Sequence, residues 1–323
     1  MNTASTVLVL TGADDDTADA VITQLDKRDV AVIRMDIGDF PRRLSLAATL
    51  AGPCWSGRLA TRDTFVELAS VRSVYYWRPT EFRFGERMSM PDAVFAAAEA
   101  RHGLGGVLAT IPARWVNDPS LAARAEYKPL QLQVAAAAGL AVPPTLVTSV
   151  HAAAVEFAAA HGPVVVKTLS SVVLGDAAGQ PQITYTTPVN PAEIDPGTFA
   201  TTANLLQRWV PKVMDCRVTM VGRRPYAAVI RADSALGYVD WRADYASLRY
   251  TPIDVPEAVT TGMIAYLEAF GLHYAAFDFG IDRDGMWWYY EANPAGQWLW
   301  IEQATGLEIA AGLAELLTEG SAA

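Results

Sequence analysis

Near its end the sequence reads Phe277-Asp-Phe-Gly280, then Asp282-Arg-Asp-Gly285, then Trp287-Trp-Tyr-Tyr-Glu-Ala-Asn-Pro294. An Asp-Gly turn between two β-forming runs predicts a hairpin, with Asp278 and Glu291 on neighbouring strands. Glu291 and Asn293 are two apart and share a side. Three oxygen donors on one face suit a hard cation, and one that keeps water and phosphate oxygens in its shell is magnesium. The alternative is a carboxylate pair on a solvated face with Asn293-Pro294 as turn residues. The flanking Trp287, Trp288, Tyr289 and Tyr290 argue against full exposure.

Lys167 ends the apolar, β-branched run Val164-Val-Val-Lys167, where burial normally excludes an ammonium. It needs an anion, or it snorkels to water from a strand end. Lys128 opens a predicted helix upstream. Arg217 and Arg231 fall on predicted adjacent strands, Arg217 to Val221 and Tyr226 to Arg231. Guanidinium groups hold phosphate or carboxylate through paired hydrogen bonds and stabilise charge on a transferring phosphoryl group. Surface ion pairs are the ordinary alternative for each. No Ser-His-Asp or Cys-His constellation accompanies them, and the four histidines lack ligand spacing.

The elements that must position these residues follow from hydrophobic periodicity. Val7 to Leu10, Thr17 to Leu25 and Val30 to Met35 form a β-α-β opening. Its loop, Gly12-Ala-Asp-Asp-Asp-Thr17, is not a dinucleotide fingerprint, and its aspartates would repel a pyrophosphate. They are read instead as helix caps. A strand at Val74 to Trp77 and a helix from Asp92 to Ala109 follow, and Trp115-Val-Asn-Asp-Pro119 leaves this first lobe. A helix over Tyr127 to Gly139 comes next. From Pro163 strands predominate, interrupted by helices at Pro256 to Phe270 and Leu307 to Glu319. An α/β lobe followed by α+β lobes is the expected fold class.

Composition sets the outer limits. The chain has 323 residues, 51% of them hydrophobic and 19% charged, which suits two or three packed lobes with a cleft between them. A net charge of -10 argues against general nucleic-acid binding. Two distant cysteines, Cys54 and Cys216, suggest neither a disulfide framework nor a structural zinc, and a reducing cytoplasm is expected. The start of the sequence lacks a basic n-region and reads as a strand and loop. No apolar run is long enough to span a bilayer.

Taken in order, Lys128, Lys167, Leu205-Leu-Gln-Arg-Trp-Val-Pro-Lys212, Arg217, Arg231, Asp278 and Glu291-x-Asn293 resemble the ATP-grasp ligases. Within that superfamily the sequence resembles the ribosomal-peptide maturases of the microviridin or graspetide type, in particular their actinobacterial branch. The likeness extends through Tyr75-Tyr-Trp-Arg-Pro79, Trp115-Val-Asn-Asp-Pro119, Lys128-Pro-Leu-Gln-Leu132, Val239-Asp-Trp-Arg242 and Asn293-Pro-Ala-Gly-Gln-Trp298. Ser149 departs from the pattern, where an asparagine is expected.

The resemblance implies an ATP-grasp fold behind a pre-ATP-grasp α/β domain, divided as 1–115, 116–205 and 206–323. It implies ATP and Mg2+ as cofactors. Lys128 and Lys167 would contact phosphates, Gln207, Arg208, Trp209 and Val210 would form the adenine-binding hinge edge, and Lys212 would help hold the nucleotide. Asp278, Glu291 and Asn293 would hold magnesium, and Arg217 and Arg231 the transferred phosphoryl group. Asp240 and Arg242, flanking Trp241 in an expected loop, would orient the peptide or pair with each other. The implied partner is a precursor peptide with a leader segment, and a homodimer is a family expectation. The implied reaction phosphorylates Asp or Glu side chains and closes macrocyclic esters or amides with Thr, Ser or Lys. The competing readings are an ATP-grasp ligase acting on small amino acids or protein tails, and a nucleotide-binding scaffold without catalysis.

Overall fold

The computed structural model describes residues 5–85, 87–170, 173–175 and 181–320. The first domain opens with β1 (Thr6–Leu10), α1 (Asp16–Asp26) and β2 (Ala31–Met35), continues through β3 (Ser45–Leu50), β4 (Trp55–Ala60), β5 (Phe65–Glu67) and β6 (Val71–Tyr76), and ends with α2 (Met90–Leu108) and β7 (Arg114–Val116). Its parallel sheet has the order β2-β1-β6-β7. Every residue of β1 is buried, as a central parallel strand covered on both faces must be. Asp15 caps α1 by accepting from the Ala18 amide at 2.8 Å, the role read for the acidic loop. The β3-β4-β5 meander was not visible in the sequence, because its strands are half exposed and carry little apolar alternation.

Two short helices, α3 (Pro119–Ala125) and α4 (Lys128–Ala137), lead into the central domain. It comprises β8 (Thr145–Thr148), α5 (His151–His161), β9 (Val164–Lys167), the hairpin β10 (Val173–Gly175) and β11 (Pro181–Ile183), β12 (Thr187–Val189), α6 (Pro196–Phe199) and β13 (Asn204–Arg208). Four of these strands form an antiparallel sheet in the order β12-β9-β13-β8. The sequence-based division at 205/206 falls inside β13, so the change of sheet comes after Arg208.

The third domain holds β14 (Lys212–Val221), β15 (Arg224–Ala232), α7 (Ala235–Val239), β16 (Leu248–Pro252), α8 (Glu257–Phe270), β17 (Tyr274–Asp282) and β18 (Trp287–Asn293). Its antiparallel sheet runs β16-β15-β14-β17-β18. One face packs Cys216, Val218, Met220, Phe277 and Phe279 against Met263, Tyr266 and Phe270 of α8. Strand alternation turns Asp215, Arg217 and Asp278 to the other face. The sequence predicted one final helix; two form, α9 (Leu299–Thr305) and α10 (Ile309–Glu319), separated at Gly306 with φ 74°. Leu313 and Leu317 of α10 share a core with Val7, Val9 and Tyr75 of the first domain.

Candidate active site

Asp278 and Glu291 are register partners across β17 and β18. Their pairing depends on a β-bulge: Phe279 opposes Tyr289 and Asp278 opposes Glu291, so Tyr290 has no partner. The bulge turns Tyr290 and Glu291, consecutive residues, into one cleft. Gly280 makes this packing feasible, since a Cβ there would lie 2.1 Å from the Tyr290 hydroxyl.

The cleft lies between the central sheet and this hairpin, lined by Lys167, Gln207 to Val210, Lys212, Asp215, Asp240 to Arg242, Asp278, Tyr290 and Glu291, among others. Cations surround both carboxylates. Arg217 donates from Nη1 to both Asp278 oxygens at 2.9 and 2.8 Å. Glu291 meets Lys128 Nζ at 3.2 Å through one oxygen and Arg242 Nη1 at 3.3 Å through the other. Burial raises the Glu291 carboxyl, but Lys128, Arg242 and Lys167 overcome it and hold the group at about 2. Burial pushes Asp278 up, against the pull of Arg217.

Lys167 stands 4.4 Å over the Tyr290 ring. Burial, supported by Lys128, Arg242 and Lys212, lowers it to about 8 against the pull of Glu291. Lys212 is buried and donates to both oxygens of Asp215 at 2.7 Å. Burial lifts Asp215 to about 6 in spite of that contact. Arg242 grips Asp240 with Nε and Nη2, each at 2.9 Å, while Asp240 also accepts from the Thr186 amide at 3.0 Å. Burial alone would raise Asp240; Arg242 and the Thr186 amide bring it down to about 2. The two residues therefore pair with each other and tie the 235–247 segment to the central domain.

At the hinge, Arg208 and Trp209 spend their amides on Pro144 and Pro163 carbonyls at 2.9 and 2.8 Å. Val210 is buried, and its N–H has no partner among the described residues. A buried donor left open at a cleft edge fits a heterocyclic acceptor such as an adenine nitrogen.

The structure brings Lys128, Lys167, Gln207 to Val210, Lys212, Arg217, Asp240, Arg242, Asp278 and Glu291 together. Asn293 lies two residues beyond Glu291, more exposed, with its Oδ1 accepting from the Ala295 amide at 2.9 Å. Arg231 is not brought in. It is exposed, it opposes Arg249, and Ile230 rather than Arg231 shares the side of Asp215 and Arg217.

For three residues of the quoted segments only the structure shows a role. Tyr290 lies on the face of Asp278 and Gly280, and the bulge brings Glu291 beside it. Gln131 of α4 is buried and fully hydrogen bonded: Nε2 donates to Ala125 and Ala292 carbonyls at 2.6 and 2.9 Å, and Oε1 accepts from the Ala292 amide and the Tyr289 hydroxyl at 3.1 and 3.2 Å. It replaces a neighbouring strand at the free edge of β18, beside Glu291, one helical turn from Lys128. Asn117 ties the start of β17 to the residue that follows β18, accepting from His273 and Tyr274 amides and donating to Tyr274 and Pro294 carbonyls at 2.8 to 3.1 Å.

A parallel first domain, a small central sheet and a larger antiparallel sheet around a cation-rich cleft define the ATP-grasp fold with an N-terminal pre-ATP-grasp domain. Residues 6–122 match the family model described as the MvdD pre-ATP grasp domain. The chain is similar to a Chryseobacterium gregarium RiPP-associated ATP-grasp ligase in complex with ADP and a leader and core peptide: 26% identity, 99% of this chain and 97% of that one, TM-score 0.89. It is also similar to the macrocyclase MdnC bound with precursor peptide MdnA from Microcystis aeruginosa MRC, at 25% identity, 97% and 99% coverage and TM-score 0.83. The ATP-grasp ligase PsnB, complexed with a phosphomimetic variant of minimal precursor, Mg and ADP, shares the fold at 21% identity, 98% coverage of both chains and TM-score 0.76. No curated protein matches the sequence.

Proposed function

We propose that this chain is an ADP-forming ATP-grasp ligase that activates Asp or Glu side chains of a ribosomally made precursor peptide and closes macrocyclic esters or amides with Thr, Ser or Lys. The observation that carries this reading is that Lys167, Lys212 and Arg242 line one cleft with Asp278 and Glu291, while Lys128 and Arg217 pair with those two carboxylates. Such a charge pattern suits phosphoryl transfer, which is governed by positioning and electrostatic stabilisation. The full-length likeness to the Chryseobacterium ligase and to MdnC, each solved with a peptide, supports the substrate class.

Asp278 and Glu291 present hard oxygen donors at adjacent positions, with Asn293 next along the strand, so these residues would hold magnesium. Bound there, the ion would neutralise charge on the nucleotide phosphates. Lys128 and Lys167 bind phosphate oxygens, releasing Glu291 from its ion pair with Lys128. The open Val210 N–H receives the adenine, Trp209 flanks it, and Lys212 steadies the cleft wall through Asp215. Arg217 stabilises the phosphoryl group as a peptide carboxylate attacks it and ADP leaves. A hydroxyl or amine then attacks the acyl carbon, losing its proton, and phosphate departs. Trp241 and Tyr290 line the cleft and limit water, which would hydrolyse the acyl phosphate. Arg231 takes no part. Asp240 and Arg242, locked together at the cleft, set the mouth through which the peptide enters. No helix among the described residues is long and apolar enough to cross a membrane, and we place the reaction in the cytoplasm.

The test is the intact mass of the cognate precursor peptide after incubation with ATP, magnesium and the enzyme. Loss of one water per ring, abolished by Glu291→Gln, is the expected result. An unmodified peptide together with ADP release on small amino acids would transfer the reading to a small-molecule ligase.

A further inference from the structure

Beyond the cleft, one cation of the first domain faces the same machinery. Arg78 follows β6, at the carboxyl ends of the parallel strands. Its backbone lies in the left-handed region with φ 48°, which disfavours any side chain with a Cβ. The other non-glycine there, Asp29 with φ 53°, is of a type that tolerates the conformation. Arginine has no such excuse, so the side chain must matter more than the backbone it strains.

The Arg78 guanidinium is exposed and forms no ion pair among the described residues. Its hydrogen bond runs from Nη2 to the Ala295 carbonyl, long at 3.4 Å, in the loop directly after the metal-site strand. Arg217 reaches the same loop from the opposite domain, donating from Nη2 to the Gln297 carbonyl at 3.3 Å. Gly296 lets the loop lie against Arg217, since a Cβ there would come within 2.9 Å of Nη2 and 2.6 Å of the Ala276 Cβ. Thr17 of α1 holds the Gln297 side chain at 2.9 Å. Two guanidinium groups, one from each outer domain, thus bracket a loop fixed on both sides.

We propose that Arg78 binds the acidic side chain of the peptide, presenting its carboxylate to the phosphoryl group held by Arg217. The assignment rests on the ligase reading above. An anion at this point takes the paired hydrogen bonds that a guanidinium offers and that Ala295 only partly occupies.

The informative variant is Arg78→Gly, because glycine is at home at φ 48° and deletes the cation while relieving the backbone. The expected result is a KM for the precursor peptide raised roughly 10- to 100-fold, with the KM for ATP and the melting temperature not worsened. Arg78→Lys, which keeps charge but not the fork, falls between wild type and Arg78→Gly. Unchanged peptide KM in Arg78→Gly overturns the assignment alone. So does a parallel loss of ATP affinity and stability, which would make Arg78 a clamp between domains. A wild type that closes no ring overturns the ligase reading, and the assignment with it.

Discussion

Two sheets of this chain end beside crevices, yet their fillings differ. At the carboxyl ends of β1, β2 and β6, the position where open parallel sheets usually take nucleotides, the space is occupied by the chain itself. Asp36 accepts from the Gly38 and Thr80 amides at 3.0 and 2.9 Å and from the Thr80 hydroxyl at 2.6 Å, with Arg83 adding a contact at 3.2 Å. Gly38 is so close that a Cβ would lie 2.1 Å from the Thr80 hydroxyl. The neighbouring loop carries Asp14 and Asp15. By contrast, the antiparallel sheet of the third domain and the central sheet leave a cleft lined with lysine and arginine. Topology alone would put a nucleotide in the first domain; charge and an open hinge amide favour the cleft proposed above.

The largest effect expected from this contrast is at Lys167. Lys167→Met should weaken ATP binding roughly 10- to 100-fold, as loss of a charged hydrogen-bond donor does. In the wild type, ATP affinity measured by calorimetry should decline as pH rises through about 8, where the amine gives up its proton. Lys167→Met should lack that dependence, and a wild-type profile flat through this pH would break the account. Next comes Gln131→Met, which keeps volume but leaves the Ala292 backbone groups unpaired. Residues that orient a metal ligand typically govern affinity by about 10–100-fold, so the magnesium requirement should rise. A core variant of equal melting temperature, such as Phe270→Leu, should leave that requirement alone. The smallest effect is at Asp15→Ala: loss of the α1 cap should cost about 1 kcal/mol of stability, read by denaturant unfolding, with no change in the KM for ATP. A change in that KM would return the first domain to the nucleotide.

Much of the candidate cleft was legible because lysine at the end of Val164-Val-Val and carboxylates beside an Asp-Gly turn are costly unless matched by opposite charge. The turn fixed the hairpin: Gly285 adopts φ 78° and Asp282 accepts from the amides of Asp284 and Met286 at 3.0 Å. What the letters did not carry was register. Counted back from the turn, Asp278 would face Tyr290 and put Glu291 on the wrong side. The bulge corrects this, and no residue type announces it. The same uncertainty misdirected Arg231, since a slip of one residue exchanges the faces of a strand. Gln131 and Asn117 escaped because a buried amide reveals its task only through the backbone it meets. The helices at 90–108 and 257–270 matched their predicted spans closely because apolar runs are local signals, and Gly271 stops the second of them.

The placement of α10 bears on how the chain comes to exist at all. Ser73 of β6 donates to the Leu317 carbonyl at 2.6 Å across 244 positions, and Arg114 of β7 reaches Leu316 and Glu319. A ribosome releases the parallel strands long before it makes the helix that seals them. The first sheet must wait, partly uncovered, through synthesis of the two domains that follow, so its assembly is tied to the completion of the ligase rather than preceding it.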